Sequence, residues 1–224
     1  MRINADFSQP VIVTPRQHAW LASPQAGVER VMLDRIGAEQ ARATSLVRYA
    51  PQSFFPVHTH PAGEEILVLE GTFSDEDGDY PAGWYLRNPP DSAHQPFSRE
   101  GALIFVKLRQ MAASDSACVR IDTRDPAAWQ ARGDRVVCPL FASADEQVAL
   151  QRLAPHCPLL PEAVEGAELL LLHGELAFGG QRHACGTWIR LPAGAYPGLA
   201  AGPRGATVYL KISRHPAASH EDLA

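Results

Sequence analysis

The chain has 224 residues, 46% hydrophobic and 20% charged, which supplies a packed core and argues against disorder. A net charge of −5, from 20 Lys and Arg against 25 Asp and Glu, argues against direct nucleic-acid binding, which needs a basic face. No apolar run is long enough to span a bilayer, and the four cysteines contain no CxxC pair and form no dense disulfide framework. The first residues lack the basic-then-apolar pattern of a signal peptide, so a cytoplasmic protein with reduced thiols is expected. In chain order, residues 41–50 (ARATSLVRYA) alternate apolar and polar and stop at Pro51, as a strand does. EILVLEG, residues 65–71, is a short apolar run closed by Gly71 and reads as a buried strand. Residues 74–83 (SDEDGDYPAG) are turn chemistry, with Asp77-Gly78 as the hairpin signal. WYLRN, closed by Pro89-Pro90, and ALIFVKLR from Ala102 are further strands. The only helical candidates are short, such as residues 125–133 (DPAAWQARG). Short strands at regular spacing with turns between them predict a sandwich or barrel.

The chain also repeats itself. AP-QSFFP-VHTHPAGEEILVLEGTF near residue 50 returns as AP-HCPLLP-EAVEGAELLLLHGEL near residue 154. Gly71, Gly83 and Pro89 match Gly174, Gly186 and Pro192 at an offset of 103. GALIFVKLR matches GATVYLKISR at 104, which lays Lys107 on Lys211, the only two lysines. A weaker echo places Trp20 before VERVML and Trp129 before DRVVCPL, and Trp84 matches Trp188 at 104. A tandem duplication is expected, with a first domain over 1–114 and a second over 115–224.

The first copy holds His58-Thr59-His60, Glu64 and His94. Residues i and i+2 of a strand share a face, so His58 and His60 can present two imidazoles to one point. A bend at Pro61-Ala62-Gly63 brings back Glu64, and His94 opens the strand after the Pro89-Pro90 turn. Three imidazoles and a carboxylate suit a divalent first-row metal such as Zn, Fe, Mn, Ni or Cu. Glu65 is an alternative to Glu64. The repeat favours Glu64: Ala167 stands in its place and the histidines are lost with it, whereas Glu65 persists as Glu168, a structural or surface residue.

These residues resemble the cupin superfamily. Its first motif, G-x5-HxH-x3,4-E-x6-G, runs from His58 to Gly71, with Pro51 or Gln52 in place of the leading Gly. Its second, G-x5-PxG-x2-H-x3-N, is met by Gly83, Pro89 and His94, with Asp91 replacing the second Gly and Ser98 the Asn. The resemblance implies an all-β chain of two tandem double-stranded β-helix (cupin) barrels, a bicupin, with the metal ligands His58, His60, Glu64 and His94 in the first and none in the second. HPAGEEILVLEGTFSDEDGDYPAGWYLRNPP and SAHQPFS are also similar to the cupin domain of ChrR-type anti-sigma factors, over about residues 15–110. That likeness implies one divalent ion, zinc first with iron, manganese or nickel as alternatives, and a stress-sensing role in transcription regulation. The family's helical N-terminal domain, which binds an extracytoplasmic-function sigma factor, has no counterpart in these residues. A sigma factor or a small-molecule ligand is the expected partner, with a homodimer as a further expectation and no membrane or nucleic acid. The alternative activity is a mononuclear metal-dependent dioxygenase acting on a diketone or catechol-like substrate.

Other signals are weaker. Asp75-x-Asp77-Gly78-Asp79 hints at a calcium loop, but Leu86 stands where the bidentate Glu is needed. His183 and Cys185, with His156 and Cys157 upstream, are a minor candidate for a second soft-metal site. Phe54, Phe55, Tyr85, Phe97 and Phe105 are candidates for walling the metal cavity, and His215 and His220 are expected in a solvated tail.

Overall fold

The structure, a computed structural model, describes residues 1–38 and 40–213; His215 and His220 lie outside the described residues. Within it the chain gathers into two compact units. The first comprises Met1–Ala5 with Ala19–Arg124, the second Asp6–His18 with the residues from Asp125 onward. The unit boundary does not coincide with the repeat boundary at 114. Val119–Asp122 pairs with Trp84–Asn88 in the first unit, and Val11–Val13 pairs with Trp188–Leu191 in the second. Each segment satisfies the outer backbone donors and acceptors of a strand that would otherwise be a bare edge. Cys118 therefore belongs to the first unit, and all four cysteines are free thiols.

The main sheet of the first unit runs Val28–Ile36, Arg42–Tyr49, Ala102–Leu108, Glu64–Asp75, Trp84–Asn88, Val119–Asp122, all antiparallel. Alternation along these strands turns Ile66, Val68, Leu86, Ile104 and Val106 into one core. The strand Glu64–Asp75 serves two sheets: its second half pairs with Gly78–Pro81 and Phe97–Ser98. It changes direction at Gly71, whose φ is +66° and where a Cβ would strike the carbonyl oxygen of Gly101. The following hairpin is one residue off the expected turn. Asp75 lies opposite Gly78, so the loop is Glu76-Asp77, held by the Asp77 N–H donating to Asp75 Oδ1 at 3.0 Å.

The second unit repeats the order as Arg135–Ala142, Glu146–Leu153, Ala200–Ser213, Ala167–Phe178, Trp188–Leu191, Val11–Val13. The expected helical piece is a single 3-10 turn, Pro126–Ala128, capped by Asp125 and followed by the strand Gln130–Arg132. The register corrects one aromatic match. Tyr85 faces Leu67 and Trp188 faces Leu170, so Trp188 takes the place of Tyr85, not of Trp84. The Trp20 and Trp129 match has a physical basis: Arg48 lies 3.8 Å over the Trp20 ring and Arg152 lies 3.7 Å over the Trp129 ring.

On the opposite side of each main sheet from the core, a buried polar row is present in both units. Glu65 lies between Arg87 and Lys107 across the strands, and Glu168 lies between Arg190 and Lys211. Arg87 Nη1 stands 3.4 Å from Glu65 Oε2, and Lys107 Nζ donates to Thr44 Oγ1 at 3.1 Å. In the second unit Lys211 Nζ is 2.6 Å from Glu146 Oε2, and Trp188 Nε1 donates to Glu168 Oε1 at 2.8 Å. Glu65, 3% exposed, is thus a buried structural residue and not a surface one. Among the described residues no helix is long and apolar enough to cross a membrane.

Candidate metal centre

Two short strands carry the imidazoles. His58–His60 and Ser92–His94 pair antiparallel, with His94 opposite His58. The turns that lead into the two strands pass through left-handed backbone geometry. Gln52, at the place of the motif's leading Gly, has φ +60°, and Asp91, at the place of its second Gly, has φ +65°. The non-glycine residues therefore keep the turns that the motif needs, Asp being among the side chains that tolerate this region.

The rings of His58, His60 and His94 converge, with one nitrogen from each within 4.8 Å of the others. His60 and His94 bring their Nε2 atoms to 3.0 Å, and Glu64 Oε2 stands 3.4 and 3.3 Å from those two nitrogens. Donors bound about 2.0–2.2 Å from one ion sit roughly 3.0–3.4 Å from each other in tetrahedral or octahedral geometry. The spacing of His60, Glu64 and His94 is that of an edge-sharing donor set, and His58 closes it from a half-buried position. Glu65 points the other way, toward Arg87, and is not part of it.

Three of the four donors, Glu64, His58 and His94, are held from behind. Asn88 Nδ2 donates to Glu64 Oε2 at 3.0 Å, from the position directly across the strands. His58 Nδ1 lies 2.9 Å from the Pro56 carbonyl oxygen, and His94 Nδ1 lies 3.4 Å from Asp75 Oδ2. A ring whose Nδ1–H is taken by an acceptor presents the lone pair of Nε2. The charges differ around the ring set. Burial lowers the pKa of His60, with the two neighbouring imidazoles adding to it against the opposing charge of Glu64. Burial pushes His94 down too, but the Asp75 hydrogen bond and the charges of Glu64, Asp75 and Glu76 outweigh it and the net shift is upward. Burial pushes Asp75 upward, yet the hydrogen bonds to His94 and Asp77 prevail and hold it below its ordinary value.

The site opens into a cavity of about 310 Å³ lined by His58, His60 and Glu64. Its walls are Val28, Val47, Ile104, Val106 and Leu108, with Tyr49 and Phe55 as the aromatic contribution. Of the five aromatic candidates only Phe55 lines it; Phe54 is half in solvent, and Phe105 lies on the Lys107 side of its strand. Tyr49 was not foreseen, and its hydroxyl is pushed well above the ordinary value by burial, with Glu64 adding to the shift. Asn88 was legible in principle, as the residue ending the strand paired with Glu64. Asp75 was not, because it reaches His94 through the bend at Gly71.

Among its described residues the second unit has no such centre. Ala167 and Leu191 stand at the register positions of Glu64 and Asn88. His183 lies 3.2 Å from the Phe178 carbonyl oxygen and Cys185 donates to the Leu172 carbonyl, so both are engaged locally. Among the described residues the only group with metal-ligand spacing is His58, His60 and His94.

Residues 8–112 match the family model of the ChrR Cupin-like domain. No curated protein matches the sequence. The fold is similar to that of solved structures across nearly the whole chain. A candidate dioxygenase from Nostoc punctiforme has 14% identity and a TM-score of 0.75, covering 95% of this chain and 85% of that one. A bacterial pirin from Escherichia coli in complex with nickel(II) has 10% identity and a TM-score of 0.63, covering 92% and 99%. Bacillus subtilis oxalate decarboxylase, with Mn(II) centres, has 12% identity and a TM-score of 0.58, covering 92% and 78%. Taken with the motifs and the strand order, these findings give the chain a cupin fold. Its first half is the part similar to the ChrR cupin-like domains.

Proposed function

We propose that the first unit holds one divalent transition-metal ion through His58, His60, Glu64 and His94 and acts on a small organic molecule in the adjoining cavity. The observation that carries this reading is the convergence of the imidazoles on a cavity of about 310 Å³ walled by aliphatic side chains, at the small end of ligand-binding sites. His58, His60, Glu64 and His94 would hold the ion, which would supply Lewis acidity and, if it is iron, redox chemistry to a molecule in the cavity. The residues around it position the donors (Asn88, Asp75) and keep water from the substrate (Val47, Ile104, Val106). The dioxygenase-like and Mn- and Ni-binding relatives favour iron, manganese or nickel beside the zinc expected from the ChrR likeness.

A stress-sensing role is the second reading, favoured by the match of residues 8–112 to the ChrR Cupin-like domain. In either case the second unit is, in this proposal, a degenerate cupin copy that completes a bicupin without chemistry of its own. The test is elemental analysis of the purified protein, then oxygen uptake by the iron(II)-loaded form across diketone and catechol-like compounds. One metal per chain with substrate-dependent uptake supports the enzyme. Metal without uptake, together with a metal-dependent response to oxidant, supports the sensor. A protein that takes up no metal refutes both.

A further inference from the structure

We propose that the cavity of the first unit recognises a carboxylate, with Arg30 as the residue that binds it and Arg109 as a second source of positive charge. This rests on the reading that the cavity is the ligand site of the metal centre. It adds the chemical class of the ligand: a small monocarboxylic acid with a short apolar body.

Arg30 lies on the strand Val28–Ile36, opposite Val47, which lies opposite Ile104. Val47 and Ile104 are both cavity-wall residues, as is Val28 two positions before Arg30. The arginine therefore occupies an inward position in a row that is otherwise aliphatic. Arg30 is half-buried there, and any of its N–H groups shut off from water costs free energy unless a partner answers it. Nothing in the described residues does: Arg30 Nε is buried without a hydrogen-bond partner, and none of the ion pairs involves its guanidinium. Arg109, at the other end of the cavity, has its backbone N–H bound to the Gly63 carbonyl oxygen at 3.0 Å, while its guanidinium likewise pairs with no described carboxylate. Among the described residues the lining thus holds two arginines against one carboxylate, Glu64, before any metal charge is counted.

The second unit provides an internal control. Its register lays Val137 opposite Gln151 opposite Val208, the place of Arg30 opposite Val47 opposite Ile104. Arg109, next after the Leu108 that Ile212 matches, corresponds to Ser213, and Tyr49 corresponds to Leu153. The unit without the three imidazoles is also without both cavity arginines. The buried row Glu65, Arg87 and Lys107, by contrast, recurs there as Glu168, Arg190 and Lys211. The buried cations of the polar row are kept in both units, while the arginines at the places of Arg30 and Arg109 accompany the metal donors; the one arginine lining the second unit's cavity among the described residues, Arg135 at the place of Val28, is instead already bound by Asp134 and by the Pro158 and Leu159 carbonyls. A carboxylate is the planar anion that a guanidinium binds through two parallel hydrogen bonds.

The test is calorimetric titration of the metal-loaded protein with hexanoate and with its uncharged counterpart hexanamide, at low salt, with metal content measured on every sample. Hexanoate is expected to bind at least tenfold more tightly than hexanamide. R30Q should abolish that preference with metal content unchanged, R30K should retain part of it, and R109Q should reduce it by a smaller factor. Thermal melting identifies a variant that fails to fold, and R30K then carries the test. An undiminished preference in folded R30Q, or no hexanoate binding by the metal-loaded wild type, overturns the inference. Absence of metal from the wild type defeats the metal reading instead, and the same preference is then read on the metal-free protein.

Discussion

His60 and His94 face each other through their Nε2 atoms at 3.0 Å, although they come from different strands and each is 6% exposed. Two buried imidazoles that close gain little from one another, since at most one shared proton links them. A metal ion between them satisfies both lone pairs. H60A and H94A should each lower metal content from one per chain to below about a tenth, measured by elemental analysis on folded protein. Retained full occupancy in either would overturn the site.

Metal affinity should depend on pH through His94. Its folded-state pKa lies above the ordinary histidine value of about 6.5, so a proton competes for the ring already near neutrality. Binding releases that proton. Apparent affinity should therefore rise as pH increases through the His94 pKa and level off above it, falling up to tenfold per pH unit on the acid side. Replacing Asp75 with Asn removes the main group that raises the pKa and should move the inflection to lower pH. An inflection that stays in place refutes the role given to Asp75.

The adjacent carboxylates should separate cleanly. E64Q is expected to cost metal affinity about 10–100-fold or more, as is N88A through the lost hydrogen bond to Glu64. E65Q should leave metal content unchanged and lower stability instead. Removing one partner of a buried ion pair costs about 3–5 kcal/mol, and R87A should behave in the same way in urea unfolding. Loss of metal from E65Q at unchanged stability would reverse the assignment.

The thiols should react in two classes. Cys118 and Cys185 are exposed, while Cys138 and Cys157 are buried. Burial drives the Cys138 thiol up to about 11, with Arg152 opposing. At pH 8 the native protein should give two maleimide-labelled sites by mass spectrometry and four after denaturation. Because the folded thiol keeps its proton longer than the unfolded one, its stabilising share is intact below about pH 9 and is lost as pH rises toward 11. Labelling of Cys138 in the native state as fast as Cys118 would contradict its burial.

Gly71 and Gly174 should tolerate no side chain. Both have positive φ, and a Cβ would strike the Gly101 or Gly205 carbonyl oxygen. G71A and G174A should each cost about 1–3 kcal/mol from backbone strain alone, with the collision in addition. A loss of less than about 0.5 kcal/mol in the free energy of urea unfolding would show that the chain passes these points in another conformation.

Much of this was legible in the sequence, for identifiable reasons. The strands follow from alternation, and the imidazoles from i, i+2 spacing on His58–His60 and the turn before His94. The left-handed turns at Gln52 and Asp91 were visible only as departures from a glycine pattern, because sequence does not reveal which non-glycine residues accept a positive φ. Asp75, Tyr49 and Arg30 were invisible because their roles depend on strands brought together across the barrel. The repeat separated Glu65 from Glu64, but the burial of Glu65 depends on Arg87 and Lys107, whose cross-strand register no local pattern records. The edge strands Val11–Val13 and Val119–Asp122 are too short to declare which sheet they join.

Those edge strands also set an order of events during synthesis. The first unit has all of its main-sheet strands once Arg124 has emerged, and every pairing of that sheet is available from that moment. Val11–Val13 is made before most strands of that sheet, yet its partner Trp188–Leu191 is translated only after the first unit is complete. A nascent chain must therefore carry this apolar segment unpaired while a complete β unit forms around it. Ribosome-bound chains halted once Arg124 has cleared the exit tunnel should have a folded metal centre and a segment at residues 6–18 that is still open to protease.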